Sequence, residues 1–325
     1  MNYFQVLILQ LINHNIWNDF SNYQTFYNKS YSKDEFLQRF NNYKINNEYI
    51  KSHNSNPDKT FTMAINAFSD LSVDEFKERY IGKTYLSETD YGCLPMNYSY
   101  SYSNIETFDW RTYNVVNPVK NQGQCGSCWA FATTANAESA WAIYTGKLYD
   151  LSEQYLVDCA VGKEYLNMGC QGGNMDSAFK FMINERQCTS DEYPYVSGDT
   201  ERKGLCHSCD ELTKFSTCYD VEPYNQLALK EAVLRGPVVI GIEADTYTFQ
   251  SYSSGIITSP LCGTDIDHAV EIVGFGLDNG TPYWSVRNSW GPGWGEDGYF
   301  RILRSDDTND PGICGLAIEP SFITV

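Results

Sequence analysis

Gln122-Gly-Gln-Cys125-Gly-Ser-Cys128-Trp129-Ala-Phe131 is the stretch on which the reading of this 325-residue chain turns. A polar, glycine-containing loop runs here into a helical pattern over 128–145 that stops at Gly146. Two cysteines at this spacing fit three chemistries. A zinc site needs a second ligand pair, and Cys206-x-x-Cys209 is the one on offer, far along the chain. A dithiol redox centre normally has its Trp ahead of the first Cys and a strand before it, whereas Trp129 follows the second Cys. A nucleophilic thiol fits best: Cys128 opens a helix, where the macrodipole and unpaired N–H groups favour thiolate.

A thiolate nucleophile wants an imidazolium partner. The chain has four histidines. His14 and His53 lie in the first hundred residues and His207 in a cysteine-rich loop, whereas His268, in Asp-Ile-Asp-His-Ala-Val-Glu, leads into a strand-like run. A lone His beside a strand is usually structural. It becomes a catalytic candidate because Asn288, in Arg-Asn-Ser-Trp-Gly, supplies an amide oxygen able to orient the ring.

Composition limits the alternatives. Hydrophobic residues make up 42% and aromatics 15%, enough for a packed core. The formal charge of −18 argues against nucleic acid as a partner. It is unevenly spread, −2 over residues 1–103 and −16 over 104–325, and a domain that acidic suits an acidic compartment. Ten of eleven cysteines follow residue 104, so an oxidising route and disulfides are expected there, with at least one thiol unpaired. Val6–Ile12 resembles a truncated signal segment (1–13), and no run reaches the length of a membrane span.

The chain divides by pattern. Glu35, Arg39, Tyr43, Asn46, Ile50 and Asn54 share one helix face, and Ser72 with Glu75 forms a capping box opening another helix. Residues 81–104 read as an extended linker. Helices are expected over 128–145, 152–159, 174–185 and 225–235, and strands at Val238–Ala244, Ala269–Phe275, Tyr283–Arg287 and Gly298–Leu303. A helical half followed by a β half implies an α+β, two-lobed protein with its site in the cleft between lobes.

Cys125-Gly-Ser-Cys128-Trp129, with His268 and Asn288 following Cys128 by 140 and 160 residues, resembles the papain-like cysteine peptidases. The interspersed motif from Glu35 to Asn54 is similar to the prosegment motif of the cathepsin L-like branch, with Tyr43 for the usual Phe. Ala64-Ile-Asn66-Ala-Phe68-Ser-Asp70 resembles its second prosegment motif, Asp109-Trp110-Arg111 the start of the mature enzyme, and Cys170-Gln-Gly172-Gly173, Tyr193-Pro-Tyr195 and Trp290-Gly-Pro-Gly-Trp294-Gly further landmarks. The resemblance implies a papain-like fold with a helical lobe and a β-barrel-like lobe. It divides the chain into an inhibitory prosegment (14–103) and a peptidase domain (104–325). The implied activity is that of a thiol endopeptidase, latent until its prosegment is removed at acidic pH.

By position, Cys128 is the expected nucleophile, His268 the base and then acid, Asn288 its orienter, Trp290 a shield over their contact and Gln122 an oxyanion donor. Gly172 and Gly173 would let a substrate strand approach, and Asn174, Met175, Gly241, Ile266, Asp267, Ala269 and Glu319 would shape the pocket for the second residue before the cut. The implied bridges are Cys125–Cys170, Cys159–Cys206 and Cys262–Cys314. Cys188–Cys209 is favoured as an extra one, which leaves Cys218 free and Cys93 near the linker. No metal or cofactor is expected, and the partners are peptide and protein substrates and the chain's own prosegment, in a monomer that binds neither membrane nor nucleic acid. The setting is a lysosome-like compartment or the outside of the cell, with glycosylation sequons at Asn28, Asn97 and Asn279. A catalytically dead relative serving as a binding protein would have lost Cys128, His268 or Asn288. An exopeptidase would carry a cleft-blocking insertion that is absent between Tyr195 and Pro237.

Overall fold

A computed structural model describes residues 3–84, 92–100, 104–210, 212–259 and 262–325, with side chains except at 3–14, 83 and 84. The signal-segment expectation, Val6–Ile12, therefore lies outside the described side chains, as do parts of the expected linker. In chain order the helices are α1 (Tyr3–Phe26), α2 (Lys33–Ser55), α3 (Val73–Tyr80), α4 (Cys128–Thr145), α5 (Glu153–Cys159), α6 (Met175–Asn184), α7 (Ser197–Thr200), α8 (Gln226–Arg235) and α9 (Tyr247–Ser251). The strands are β1 (Phe61–Met63), β2 (Lys83–Thr84), β3 (Leu94–Pro95), β4 (Phe108–Asp109), β5 (Gly172–Gly173), β6 (Thr217–Asp220), β7 (Val238–Ile242), β8 (Tyr252–Ile257), β9 (His268–Asp278), β10 (Thr281–Arg287), β11 (Tyr299–Leu303) and β12 (Ser321–Thr324).

One core cluster lies in the β half, around Ile240, Ile272, Trp284 and Phe300. Another, in the helical half, is built on Trp129, Leu156, Phe179 and Met182. The main sheet runs β1-β8-β11-β10-β9-β7-β12-β6-β3, with β4 on β9. The tight β9–β10 hairpin turns at Asn279 and Gly280, both at positive φ (50° and 81°), which is the geometry Asn-Gly adopts most readily. Its register sets Arg287 opposite Glu271, so the first residue of β9, His268, and the residue following β10, Asn288, come to the same end of the ladder.

The polar members of the α2 face have partners. Arg39 donates to the Asp70 carbonyl and to Glu75, and Asn46 donates to the Ser69 and Leu71 carbonyls at 2.9 and 2.8 Å. Asn54 exchanges two bonds with the Met63 backbone. The Asp70 carboxylate accepts from Tyr23, Tyr31 and Lys29. Ser72 and Glu75 cap α3 reciprocally. The segment beyond α3 departs from the linker expectation: Lys83–Thr84 and Leu94–Pro95 are strands, the latter paired in parallel with β6. Cys218 is not free but bridged to Cys93, with Cα atoms 4.7 Å apart. Bridges also join Cys125–Cys170, Cys159–Cys206, Cys188–Cys209 and Cys262–Cys314, and Cys128 alone keeps a thiol.

Because Asn46 satisfies two buried carbonyls, Asn46→Ala strands both, at roughly 1–3 kcal/mol for a buried unsatisfied group. With Cys128→Ala also present to remove the sole thiol, urea unfolding of the full chain begins at lower denaturant. An unchanged onset means the amide holds nothing.

Candidate active site

Cys128 is the first residue of α4, and Gly126 two residues earlier lets backbone cross it. A Cβ there would lie 2.5 Å from the Cys170 carbonyl and 2.7 Å from the Gly82 Cα. Across the cleft His268 Nε2 meets Asn288 Oδ1 at 2.8 Å, while His268 Nδ1 is buried with no hydrogen-bond partner among the described residues. Trp290 stacks on the imidazole with ring centroids 4.7 Å apart. The Gln122 side-chain amide is held by Ser289, whose hydroxyl donates to Oε1 at 2.6 Å, and by the Cys125 carbonyl, which accepts from Nε2 at 2.9 Å. Ser289 was not singled out from the sequence, although its position between Asn288 and Trp290 was a usable signal.

The cleft is filled by the chain's own N-terminal part. The Tyr80 carbonyl accepts from Gln122 Nε2 at 2.9 Å. Gly82 passes Gly126, and β2 then pairs in parallel with Gly172–Gly173 of β5. On the other side of Cys128, α3 seats Phe76 edge-on against Trp290 and Lys77 against Asp245. With this cover Cys128 is 1% and His268 0% exposed. Burial pushes the thiol up to about 11, against bonds from the Ala269, Gly82 and Trp129 backbone that lower it. Burial likewise drives His268 down to about 4, against the upward pull of Asn288. Near neutral pH both groups are therefore uncharged in the covered state. The thiolate expected at the start of α4 is suppressed here, because desolvation outweighs the helix dipole.

Beyond β5, Gly173 has no room for a side chain, since its Cβ would lie 2.6 Å from the Trp129 ring. Gly241, Ile266 and Glu319 meet: a Cβ on Gly241 would be 2.4 Å from Ile266 and 2.7 Å from Glu319 Oε1. Met175 and Ala269 are buried in the helical-half core, and Asn174 caps α6 through Ser177 N. Glu319 Oε1 is buried without a hydrogen bond among the described residues, and burial, then repulsion from Asp176, pushes its carboxyl up to about 8. Asp176, bonded by Ser321 and also raised by burial, had no separate sequence signal. Asp267 accepts from Ala244 N and is held above the usual carboxylate range by burial and by Asp245 and Glu243.

Among the described residues the one group that could in principle hold a metal is Cys93, Asp176 and Asp220, and Cys93 is spent in a disulfide.

Comparison with known proteins matches residues 105–324 to the papain family cysteine proteases and residues 20–76 to the cathepsin propeptide inhibitor domain. A senescence-specific cysteine protease of Oryza sativa subsp. indica is 40% identical over 305 residues, 92% of this chain and 87% of that protein. A germination-specific cysteine protease of Arabidopsis thaliana is 42% identical over 299 residues, 88% of this chain and 77% of that one. Among solved structures, a recombinant stem bromelain precursor superposes with a TM-score of 0.86 at 35% identity, over 96% of this chain and 99% of that one. Digestive procathepsin L 3 of Tenebrio molitor larval midgut gives 0.84 at 36%, over 95% and 99%. A two-lobed α+β fold, a covered Cys–His–Asn cleft and an inhibitor domain in front of it lead to one conclusion: the chain belongs to the papain family of cysteine proteases and is a cysteine endopeptidase made as a zymogen.

Proposed function

We propose that Cys128, His268, Asn288 and Gln122 carry out peptide hydrolysis once the covering segment is gone. The observation that carries this reading is the buried Cys128 with His268 held by Asn288 at 2.8 Å and a Gln122 amide already bonding a carbonyl. Water reaching the cleft removes the desolvation penalty, so proton transfer from Cys128 to His268 gives a thiolate–imidazolium pair. The thiolate adds to the substrate carbonyl carbon, and the oxyanion takes hydrogen bonds from Gln122 Nε2 and the Cys128 backbone N–H. His268 returns the proton to the leaving amine as the C–N bond breaks, leaving an acyl-enzyme on Cys128. Water then attacks the thioester with His268 as base, releasing the acid and restoring the thiol.

In this reading the substrate's acyl side adds a strand at Gly172–Gly173, and β2 lies there in the opposite chain direction, which keeps it from being cut. The sequence division, prosegment 14–103 and peptidase 104–325, stands as part of the proposal, with processing near Asn104 at acidic pH. Five disulfides support an endomembrane route, to a lysosome-like compartment or the cell exterior. The sequons at Asn28, Asn97 and Asn279 are exposed and fit glycosylation on that route.

After acid processing, wild type hydrolyses a fluorogenic peptide. Cys128→Ala loses this entirely and His268→Ala nearly so, while Asn288→Ala is milder. Gln122→Ala loses about 10²–10³ in kcat. A Cys128→Ala chain retaining a tenth of wild-type turnover overturns the assignment.

Glu319 sets a second test. Its raised pKa means it is neutral in acid and becomes a carboxylate as pH climbs toward about 8. The kcat/KM ratio for Arg over Leu as the second residue before the cut therefore rises between pH 5 and pH 8. Glu319→Gln flattens that rise. Identical ratios in both proteins at every pH remove Glu319 from the pocket.

A further inference from the structure

The segment Gly92–Tyr100 precedes the expected cut near Asn104, yet it is built into the body of the peptidase. Cys93 is bridged to Cys218 on β6. Leu94 and Pro95 pair with Tyr219 and Asp220, and Met96 N continues the ladder to the Asp220 carbonyl at 2.8 Å. Met96 itself is 5% exposed and packs in the same core cluster as Val221 and Leu229. Farther on, the Ser99 and Tyr100 amides donate to one Glu231 oxygen at 2.9 and 2.8 Å, and Arg235 donates to the Asn97 carbonyl. Strand, core residue and helix α8 are engaged together.

The contrast with β1 is instructive. That strand also adds to a sheet edge, pairing with β8, and it buries Phe61 and Met63 in the same core, Phe61 against Tyr252, but no disulfide holds it. Removing β3 would bare the unpaired edge of β6 and the pocket of Met96, and an open edge is an invitation to association. The bridge spans 125 residues, so cutting the peptide bond near Asn104 does not free the segment.

We propose that the partner for which the β6 edge and the α8 surface are shaped is the chain's own Gly92–Tyr100. It remains on the active enzyme as a disulfide-held strand after the inhibitory part is lost. The separable inhibitor then ends ahead of Gly92. A cut near Asn104 alone leaves α1–α3 tethered beside the cleft at high effective concentration. The proposal rests on the zymogen reading only in taking α1–α3 as the part removed.

The test uses the full chain processed at about pH 4–5, with a trace of pepsin to complete loss of α1–α3. The product is digested without reduction and its peptides are mapped by mass. A parallel sample is labelled with a thiol-directed epoxide, so that failure of Cys128 as nucleophile is seen separately from failure of the tether. The expected result is a Cys93 peptide linked to Cys218 in the processed enzyme, released by reduction. A processed enzyme without that peptide, or with Cys218 as a free thiol, overturns the proposal. Cys93→Ser gives a second reading: its processed form loses the segment and melts lower by roughly 5–15 °C. A Cys93→Ser product with wild-type melting behaviour shows that the segment does not belong to the peptidase.

Discussion

A thiol and an imidazole taken out of water cannot cheaply hold opposite charges, and the rest of this precursor is organised around keeping that pair dry. The move of Cys128 from 9.0 to about 11 amounts to about 3 kcal/mol against the thiolate. A helix start contributes only about 0.3–1 kcal/mol the other way at an exposed site. Latency therefore has two components: a backbone in the substrate's path and an electrostatic environment in which the nucleophile is not charged. Both end when the cover leaves.

The cover is held by polar contacts that are themselves buried. Asp70 gathers Tyr23, Tyr31 and Lys29 on its carboxylate and Arg39 and Asn42 on its carbonyl, which ties α1, α2 and the turn before α3 into one unit. Asn66 and Gln250 then join that unit to α9 of the peptidase, Asn66 donating to the Gln250 carbonyl and Gln250 donating to the Phe68 and Leu71 carbonyls. Phe68 and Phe76 close over Trp290. The residues that position the inhibitor are thus one contact away from the ring that stacks on His268.

Much of this was legible because it is local or chemically loaded. The α4 pattern and its Gly146 stop, the capping box at Ser72 and the long strands β9 and β10 each carry their own signal in consecutive residues. What escaped were short strands whose existence depends on a distant partner: β6 and β12 pair with each other across about a hundred residues, and β3 is two residues long. Gly, Pro and Ser in 81–104 look like a linker because composition reports local stiffness, not a bridge 125 residues away. Connectivity among Cys93, Cys188, Cys209 and Cys218 is a three-dimensional property for the same reason. The polar face of α2 was readable as a motif, but only the fold supplies its reason, the carbonyls at 69–71.

In the proposed acid activation, the carboxylates that anchor Gly92–Tyr100 resist protonation. For Glu231 burial works upward, but the amides of Ser99 and Tyr100 and the Arg235 guanidinium outweigh it and hold the carboxyl below its ordinary value of 4.5. Glu222, bonded by Tyr98 and Asn225, is also lowered. A carboxylate whose folded pKa is depressed contributes stability above its unfolded pKa, and that stability is lost only as pH falls through the lower, folded value. The anchors of Gly92–Tyr100 are therefore still charged at a pH where ordinary carboxylates are half protonated. The Cys93–Cys218 bridge does not titrate at all. The depressed carboxylates and the bridge together keep this strand in place as pH falls through the ordinary carboxylate range, as the proposal requires of a piece of the enzyme.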